Sequence, residues 1–175
     1  MHEEINIIDS NITTENLLSI DDFNTDTKDR IKKSDILLVP LLEFREKKER
    51  VFYPETSNFI KFAKKELGKF TIDLCENRGQ EKTLDLHYDE ILLPIIFVSV
   101  EFVRNIGLHI LTSLISNYIF YKYSKKSEKD KATIHVQIII NDKKKQKSKK
   151  LDYEGPLSGL KQFEKIDINK IFGEK

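Results

Sequence analysis

Residues 90–123 constrain the fold more than any other stretch, because they form by far the most apolar run in the chain. Beyond its first position the run contains only three charged residues, and no proline follows Pro94 within it. Its apolar residues recur at three- and four-residue spacing, which is typical of an α-helix. A helix whose polar side is narrow is covered on most of its surface. The sequence therefore predicts one long, buried central helix over residues 94–121.

The same run is long enough to cross a membrane, since about 20 apolar residues suffice. Lysines follow it closely, as they do in a positive-inside signal. Against insertion, Glu101 and Arg104 would lie within the bilayer, where each charge costs roughly 2.5–3.5 kcal/mol. We therefore expect the helix to be buried within the protein. Insertion into a membrane is the alternative, and docking into a partner is the third possibility.

Composition limits the kind of partner and the cellular compartment that we expect for this protein. The chain has 175 residues, a charged content of 34% and a formal net charge of +1, which argues against a partner that is a polyelectrolyte over its whole length. Cys75 is the single cysteine, so an internal disulfide is excluded and a reducing compartment is expected. The first residues do not show the basic segment and apolar run of a signal peptide. These features predict a cytoplasmic protein.

The charge is distributed unevenly along the chain, which suggests its organisation. Residues 1–30 contain eight acidic residues and two basic ones, and residues 122–150 contain eleven lysines and three acidic residues. We interpret residues 1–34 as an acidic, partly flexible N-terminal arm and residues 35–175 as a single α+β domain. The predicted fold is a mixed or antiparallel sheet of four to six strands with one long central apolar helix and one or two shorter helices. The predicted elements are strands at 35–44, 70–76, 83–88, 132–140 and 151–154, and helices at 55–67, 94–121 and 157–163.

Several acidic residues and one histidine fall on the polar faces of the strands predicted at 70–76 and 83–88, which we expect to form a hairpin or to be neighbours in the sheet. Asp73, Asp85 and His87 together could bind a metal ion or exchange protons. Solvent-facing strand positions carry such residues routinely, and no spacing here is diagnostic of metal ligands. We therefore expect no metal site and no cofactor.

Two further catalytic patterns are incomplete. A nuclease-like acid followed by an E-x-K pair is imitated by Asp35 with Glu46–Lys48, or by Asp73 with Glu81-Lys82, but neither has the full motif. Cys75 and His87 could form a nucleophile pair, but we expect Cys75 to be a small residue of a strand without an activating partner. His109 is expected to be a core histidine rather than a ligand. The sequence thus favours a protein that is not an enzyme.

A basic segment, NDKKKQKSKK, lies between the last two predicted strands. Its lysines could neutralise phosphates without reading sequence, because the segment has no arginine and no aromatic residue. The alternatives are a solvated tip that protects a sheet edge, and an acidic protein or lipid surface as the partner. The possible polyanion-binding residues are Lys143, Lys144, Lys145, Lys147, Lys149 and Lys150.

The order of elements in residues 90–165 is a long apolar helix, the strand ATIHVQIII, a charged loop, the short strand LDYEGP and a closing helix. This order resembles small accessory proteins encoded beside effectors in bacterial conflict and anti-phage defence systems. The resemblance implies an adaptor or regulator rather than a catalyst.

The sequence therefore predicts a non-catalytic protein-interaction component: an adaptor, a regulator or a neutralising partner of a bacterial effector. We expect it to bind a protein partner or a second copy of itself through aromatic residues at the end of the long helix. A membrane-associated protein and a small nucleic-acid-binding or nuclease-like protein are the alternatives. The predicted contact residues are Tyr118, Phe120, Tyr121 and Tyr123.

Overall fold

The computed structural model describes residues 5–44, 49–85, 90–123 and 132–173. The strands are β1 (Asn6–Ser10), β2 (Ile36–Val39), β3 (Leu41–Phe44), β4 (Glu49–Val51), β5 (Ile72–Leu74), β6 (Ile91–Leu92), β7 (Ile95–Ser99), β8 (Thr133–Asp142) and β9 (Lys147–Pro156). The helices are α1 (Thr14–Leu18), α2 (Thr25–Lys33), α3 (Thr56–Leu67), α4 (Val100–Ile106), α5 (Leu108–Lys122), a 3-10 helix (Leu157–Lys165) and α6 (Ile168–Ile171).

The main sheet is mixed, one of the two kinds of sheet that the sequence predicted, and it has seven strands in the described residues where four to six were expected. Its strand order is β1-β9-β8-β7-β2-β5, and the short β6 also pairs with β8. The pairs β7–β8 and β2–β5 are parallel, whereas β2–β7, β8–β9 and β1–β9 are antiparallel. Strands β3 and β4 form a separate two-stranded sheet. The chain is thus an α+β protein built around one mixed sheet.

The central strands are apolar on both faces because helices cover both sides of the sheet. Side chains at alternate positions, such as Ile96 and Val98 in β7, point into a first core formed with α3, α4, α5 and the 3-10 helix. The intervening Ile95 and Phe97 point into a second core formed with α1 and α2. Strands buried on both faces lose the alternation of apolar and polar residues. This explains the continuous apolar runs at 36–39 and 95–98.

The prediction of one long helix over 94–121 is wrong. Ile95–Ser99 forms the strand β7, and the helical part is divided into α4 and α5 at Gly107. A fully buried strand and a buried helix segment both appear as uninterrupted apolar residues, so periodicity cannot separate them. The β-branched and aromatic residues of 95–98 favour the strand. The side chain of Ser99 then accepts a hydrogen bond from the Phe102 N–H, 3.1 Å away, and starts α4.

This division also affects the membrane alternative, which required a continuous helix. In the part of the chain that the structure describes, no helix is both long enough and apolar enough to cross a bilayer.

The N-terminal segment takes part in both the sheet and the second core. β1 pairs along β9, with Asn6 opposite Asp152 and Ser10 opposite Ser148. Leu17, Phe23 and Ile31, from α1, α2 and the loop between them, are almost fully buried against the sheet. The interpretation of residues 1–34 as an arm missed these contacts, because three widely spaced apolar residues among acids do not form a recognisable pattern.

The hairpin predicted from residues 70–76 and 83–88 is not formed by the described residues. β5 pairs in parallel with β2, and Thr83 makes an isolated bridge to Phe52. Residues 86–89, including His87, lie outside the described residues. The prediction of one or two shorter helices was also too low, since the described ranges contain six α-helices and one 3-10 helix.

We expect replacement of Gly107 to destabilise the junction between α4 and α5. Its φ of 96° and ψ of 156° lie in a region that is essentially restricted to glycine, and forcing another residue there costs about 1–3 kcal/mol. A Cβ at this position would also lie 2.7 Å from Nδ1 of His109. Gly107→Ala should lower the free energy of unfolding by this amount, measured by urea denaturation.

A double variant separates backbone strain from the contact with His109. If backbone strain dominates, adding Gly107→Ala to His109→Ala should lower the free energy of unfolding as much as adding it to the wild type. Unchanged stability of Gly107→Ala would contradict the strained geometry.

Candidate functional site

The acidic residues predicted as a possible metal site have other partners. Asp73 Oδ1 lies 3.2 Å from Nη1 of Arg30, and its other carboxylate oxygen lies 3.9 Å from Arg78. Asp85 is exposed at the end of a described range. Across the described ranges, no group of three His, Cys, Asp or Glu residues is arranged to hold a metal ion.

Asp35, the acidic residue of the first nuclease-like pattern, bonds to the neighbouring strand. The Asp35 carboxylate accepts a hydrogen bond from the Thr71 N–H at 2.9 Å, so it links the starts of the neighbouring strands β2 and β5. Residues 46–48 lie outside the described residues. The contacts of Asp35 therefore indicate a structural role.

Cys75 is fully buried directly after β5. Burial raises the pKa of its thiol to about 12, and the nearby Glu76 carboxylate contributes to this rise. The thiolate is the nucleophilic form of cysteine. Cys75 is therefore an inert core residue, and His87, its candidate partner, lies outside the described residues.

The described ranges contain two histidines, His109 and His135. His109 is exposed in the first turn of α5, so the expectation of a core histidine is wrong. His135 Nε2 lies 2.7 Å from Asp152 Oδ1, across the β8–β9 pair, and Gln137 donates to the other oxygen of Asp152 at 3.3 Å. Such cross-strand polar pairs stabilise strand pairing.

Sequence reasoning missed a partly buried charge network centred on Arg50 in β4. Arg50 donates two hydrogen bonds to Glu76, at 2.7 and 2.9 Å, and two to Asp22, at 2.8 and 2.6 Å. The Glu76 side chain is only 3% exposed, whereas that of Asp22 is 61% exposed. The Arg50 guanidinium also lies 4.7 Å from the centre of the Phe23 ring. The hydrogen bonds from Arg50 hold the pKa of Asp22 below its ordinary value of 3.8.

A second arginine extends the network towards α2. Arg30 donates to the backbone oxygens of Leu74 and Glu76, at 2.9 and 2.8 Å, in addition to its contact with Asp73. Asn77 Nδ2 donates to the Asp22 carbonyl at 2.7 Å. The network thus ties β4, the α1–α2 loop and α2 to the segment that leaves β5.

This network lies where the parallel strands β2 and β5 end, a common position for active sites in α/β proteins. Here, however, both carboxylates of the Arg50 cluster are engaged by the same guanidinium. Strong mutual pairing is what buried charges require for stability. We therefore assign the network a structural role. The polar pair Glu76-Asn77, separated from the end of β5 by one residue, was the signal in the sequence that could have indicated it.

The four predicted contact aromatics at the end of α5 have different environments. Tyr118 is almost completely buried and donates to Glu55, so it is a core residue and not a surface contact. Burial raises the pKa of its hydroxyl, and the bond to Glu55 raises it further. Tyr123 is half-buried, whereas Phe120 is 53% exposed and Tyr121 is 73% exposed.

Tyr121 forms one side of a groove between α3 and α5. The groove has a volume of about 540 Å³, within the range of ligand and side-chain pockets. Its aromatic wall consists of Phe62 in contact with Tyr121, with ring centres 5.2 Å apart, and of Tyr118 beneath them, 5.6 Å from Phe62. We call this surface the α3–α5 groove; its lining residues are Asn58, Lys61, Phe62, Lys65, Glu66, Tyr118, Tyr121 and Lys122.

The groove carries more positive than negative charge. Lys61 and Lys65 are exposed on the α3 side. Lys122 is paired with Glu55, which lies beneath the groove and also accepts from Tyr118. Glu66 is the one acidic residue of the lining. An aromatic wall with lysines at its edge fits a ligand with an apolar group flanked by negative charge.

The predicted lysine loop is the turn of the β8–β9 hairpin. Lys143, Lys144, Lys145 and Lys147 are exposed, whereas Lys149 and Lys150 are half-buried in β9. Lys149 is paired with Asp9 of β1. The structure therefore divides the six lysines into a solvent-facing group at the turn and two strand residues beside β1.

No protein-family model matches this chain, and neither a curated protein nor a solved structure shows detectable similarity to it.

We expect removal of the Glu76 carboxylate to be strongly destabilising. The Arg50 side chain is 15% exposed, and removal of one partner from a buried ion pair costs about 3–5 kcal/mol because the other charge remains buried. Glu76→Ala should lower the free energy of unfolding by about this amount in urea titrations. The matched control Asp22→Ala removes an exposed partner of the same arginine and should cost about 0–1 kcal/mol. Equal destabilisation of the two variants would contradict the assignment.

We expect Cys75 to be unreactive in the folded protein, because its thiol is buried and its pKa is raised. A chromogenic disulfide reagent at pH 8 should label it only after denaturation. Rapid labelling of the native protein, at the rate seen in urea, would show that the thiol is accessible.

Proposed function

We propose that this protein is a non-catalytic protein-interaction component that binds its partner in the α3–α5 groove. The partner segment is an acidic stretch of a protein with one large apolar side chain. We further propose that it acts in the cytoplasm as an adaptor, regulator or neutralising partner of a bacterial effector. The defence-system part of the proposal rests on the resemblance of residues 90–165. The strand, charged turn, strand and closing helix of that order are present, whereas its single long helix is divided into β7, α4 and α5.

The observation that carries the proposal is the exposure of Tyr121 beside a preformed aromatic pocket. Large aromatic side chains are enriched at protein interfaces, where they provide apolar area with few rotatable bonds. Tyr121 is 73% exposed, and its contact with Phe62 orients the ring before any ligand binds. Preorganisation reduces the entropic cost of association.

The charge at the groove selects the kind of partner. Lys61 and Lys65 stand at the edge of the aromatic wall and would face the flanks of a bound segment. Acidic side chains at those flanks would gain favourable interactions, and basic ones would be repelled. The apolar side chain of the partner would pack against Phe62 and Tyr121.

Selection from a displayed random peptide library tests this proposal. Peptides enriched on the wild-type protein should combine acidic residues with an aromatic or large aliphatic residue. Tyr121→Ser should weaken their binding by at least about tenfold, or about 1.4 kcal/mol, measured by fluorescence anisotropy. Phe120→Ser is the matched control: Phe120 is an exposed neighbouring aromatic that does not line the groove, so its replacement should have little effect.

Circular dichroism melting of both variants controls for unfolding. Enriched peptides that bind wild type and Tyr121→Ser equally, or that are basic, would contradict the proposal. A dimer that dissociates in Tyr121→Ser would instead identify a second copy of the chain as the occupant of the groove.

A further inference from the structure

The turn of the β8–β9 hairpin is rigid, although its composition suggests a mobile loop. Asp142 is buried, and its Oδ1 accepts from the N–H groups of Lys144 at 3.1 Å and Lys145 at 3.4 Å. Gln146 has a positive φ of 49° and donates to the Lys143 carbonyl at 2.7 Å. These bonds fix the backbone from which the lysines extend into solvent.

The base of the hairpin is attached to the N-terminal helices. Asn141 is fully buried; its Oδ1 accepts from the Thr14 hydroxyl at 2.8 Å, and its Nδ2 donates to Ser148 at 2.9 Å. Thr14 is the first residue of α1. The lysine turn is thereby held in a fixed position relative to the second core.

Two lysines from a distant part of the sequence lie beside this turn. Lys32 and Lys33, at the end of α2, line the same cavity of about 370 Å³ as Lys143. Asp35 and Glu101 are the acidic residues of that cavity, and the Asp35 carboxylate is bonded to Thr71. Lys144, Lys145 and Lys147 do not line the cavity but are exposed in and next to the same turn. We call the six lysines together the basic surface: Lys32, Lys33, Lys143, Lys144, Lys145 and Lys147.

We propose that the basic surface is a binding site for the phosphate backbone of a nucleic acid, used without reading the base sequence. Lysines on a rigid scaffold can replace condensed counterions at successive phosphates, and the release of those ions favours binding. The surface contains no arginine, the residue most used for base contacts in the major groove. This site is separate from the α3–α5 groove and does not depend on the function proposed for that groove.

The chemistry of the basic surface favours a nucleic acid over a membrane or a protein as the partner. A membrane-binding surface combines basic residues with apolar side chains that enter the lipid. A protein interface has a buried apolar or aromatic centre. The exposed large hydrophobic residues of the described chain are Ile7, Ile8, Phe120 and Tyr121, and none of them belongs to the basic surface. The aromatic residues that line the cavity, Phe70, Phe97 and Phe102, are buried or half-buried, so the surface offered to a partner is that of the lysines.

The test compares two triple variants with the same change in charge. Lys143→Gln, Lys144→Gln and Lys145→Gln together alter the basic surface; Lys61→Gln, Lys64→Gln and Lys65→Gln together alter exposed lysines on α3. Fluorescence anisotropy measures binding of each protein to labelled duplex DNA, single-stranded DNA and duplex RNA of mixed sequence over a range of salt concentrations. A third variant, Lys32→Gln with Lys33→Gln, tests the contribution of α2.

For wild type we expect the logarithm of the binding constant to fall linearly with the logarithm of salt concentration, by about 0.9 for each duplex phosphate that the protein neutralises. The hairpin variant should weaken binding at least about tenfold and reduce the slope by about one for each phosphate that is no longer neutralised. The α2 variant should reduce the affinity and the slope less than the hairpin variant does, and the α3 variant should change neither the affinity nor the slope. Tyr121→Ser should bind nucleic acid as wild type does, which distinguishes this result from failure at the groove.

Three results would overturn the proposal. The first is no binding of any nucleic acid at low salt. The second is equal weakening of binding in the hairpin and α3 variants, which would indicate attraction to overall charge. The third is tighter lysine-dependent binding to polyglutamate or to vesicles of anionic lipid than to nucleic acid.

Discussion

Burial of the central strands on both faces is the constraint on which the rest of the structure depends. β2 and β7 direct apolar side chains into both cores, so neither face can be left in water. Each large apolar side chain that is fully buried contributes about 1.5–3 kcal/mol. The first core is covered by α3, α4, α5 and the 3-10 helix. The second requires Leu17, Phe23 and Ile31 from the acidic N-terminal segment, which makes that segment part of the fold.

Paired charges determine how the peripheral elements are attached to this sheet. Arg50 and Arg30 connect β4, the α1–α2 loop and α2 with the residues that follow β5. A buried charge is tolerated only when it is paired and hydrogen-bonded. The apolar contacts of the cores are non-directional, whereas the hydrogen bonds of the arginine network depend on distance and angle.

The two proposed binding surfaces differ in chemistry and location. The α3–α5 groove has an aromatic wall and lies in the helical layer of the first core. The basic surface has exposed lysines and lies where α2, from the second core, approaches the β8–β9 turn. Because the two surfaces share no residue, a protein segment and a nucleic acid could be bound at the same time. An adaptor that joins two partners needs such an arrangement.

The sequence by itself determined the elements whose signals are local. The helix predicted at 55–67 and the strand predicted from residue 132 match α3 and β8 closely, whereas the single strand predicted at 35–44 is divided into β2 and β3 at Pro40. Only the tertiary structure decided that 95–99 is a strand, because a segment buried on both faces carries no period. It also decided the pairing of Arg50 with Glu76, 26 residues apart, and the approach of Lys32 and Lys33 to Lys143. Periodicity reports which side of one element is buried, whereas contacts between distant residues depend on the order of strands in the sheet.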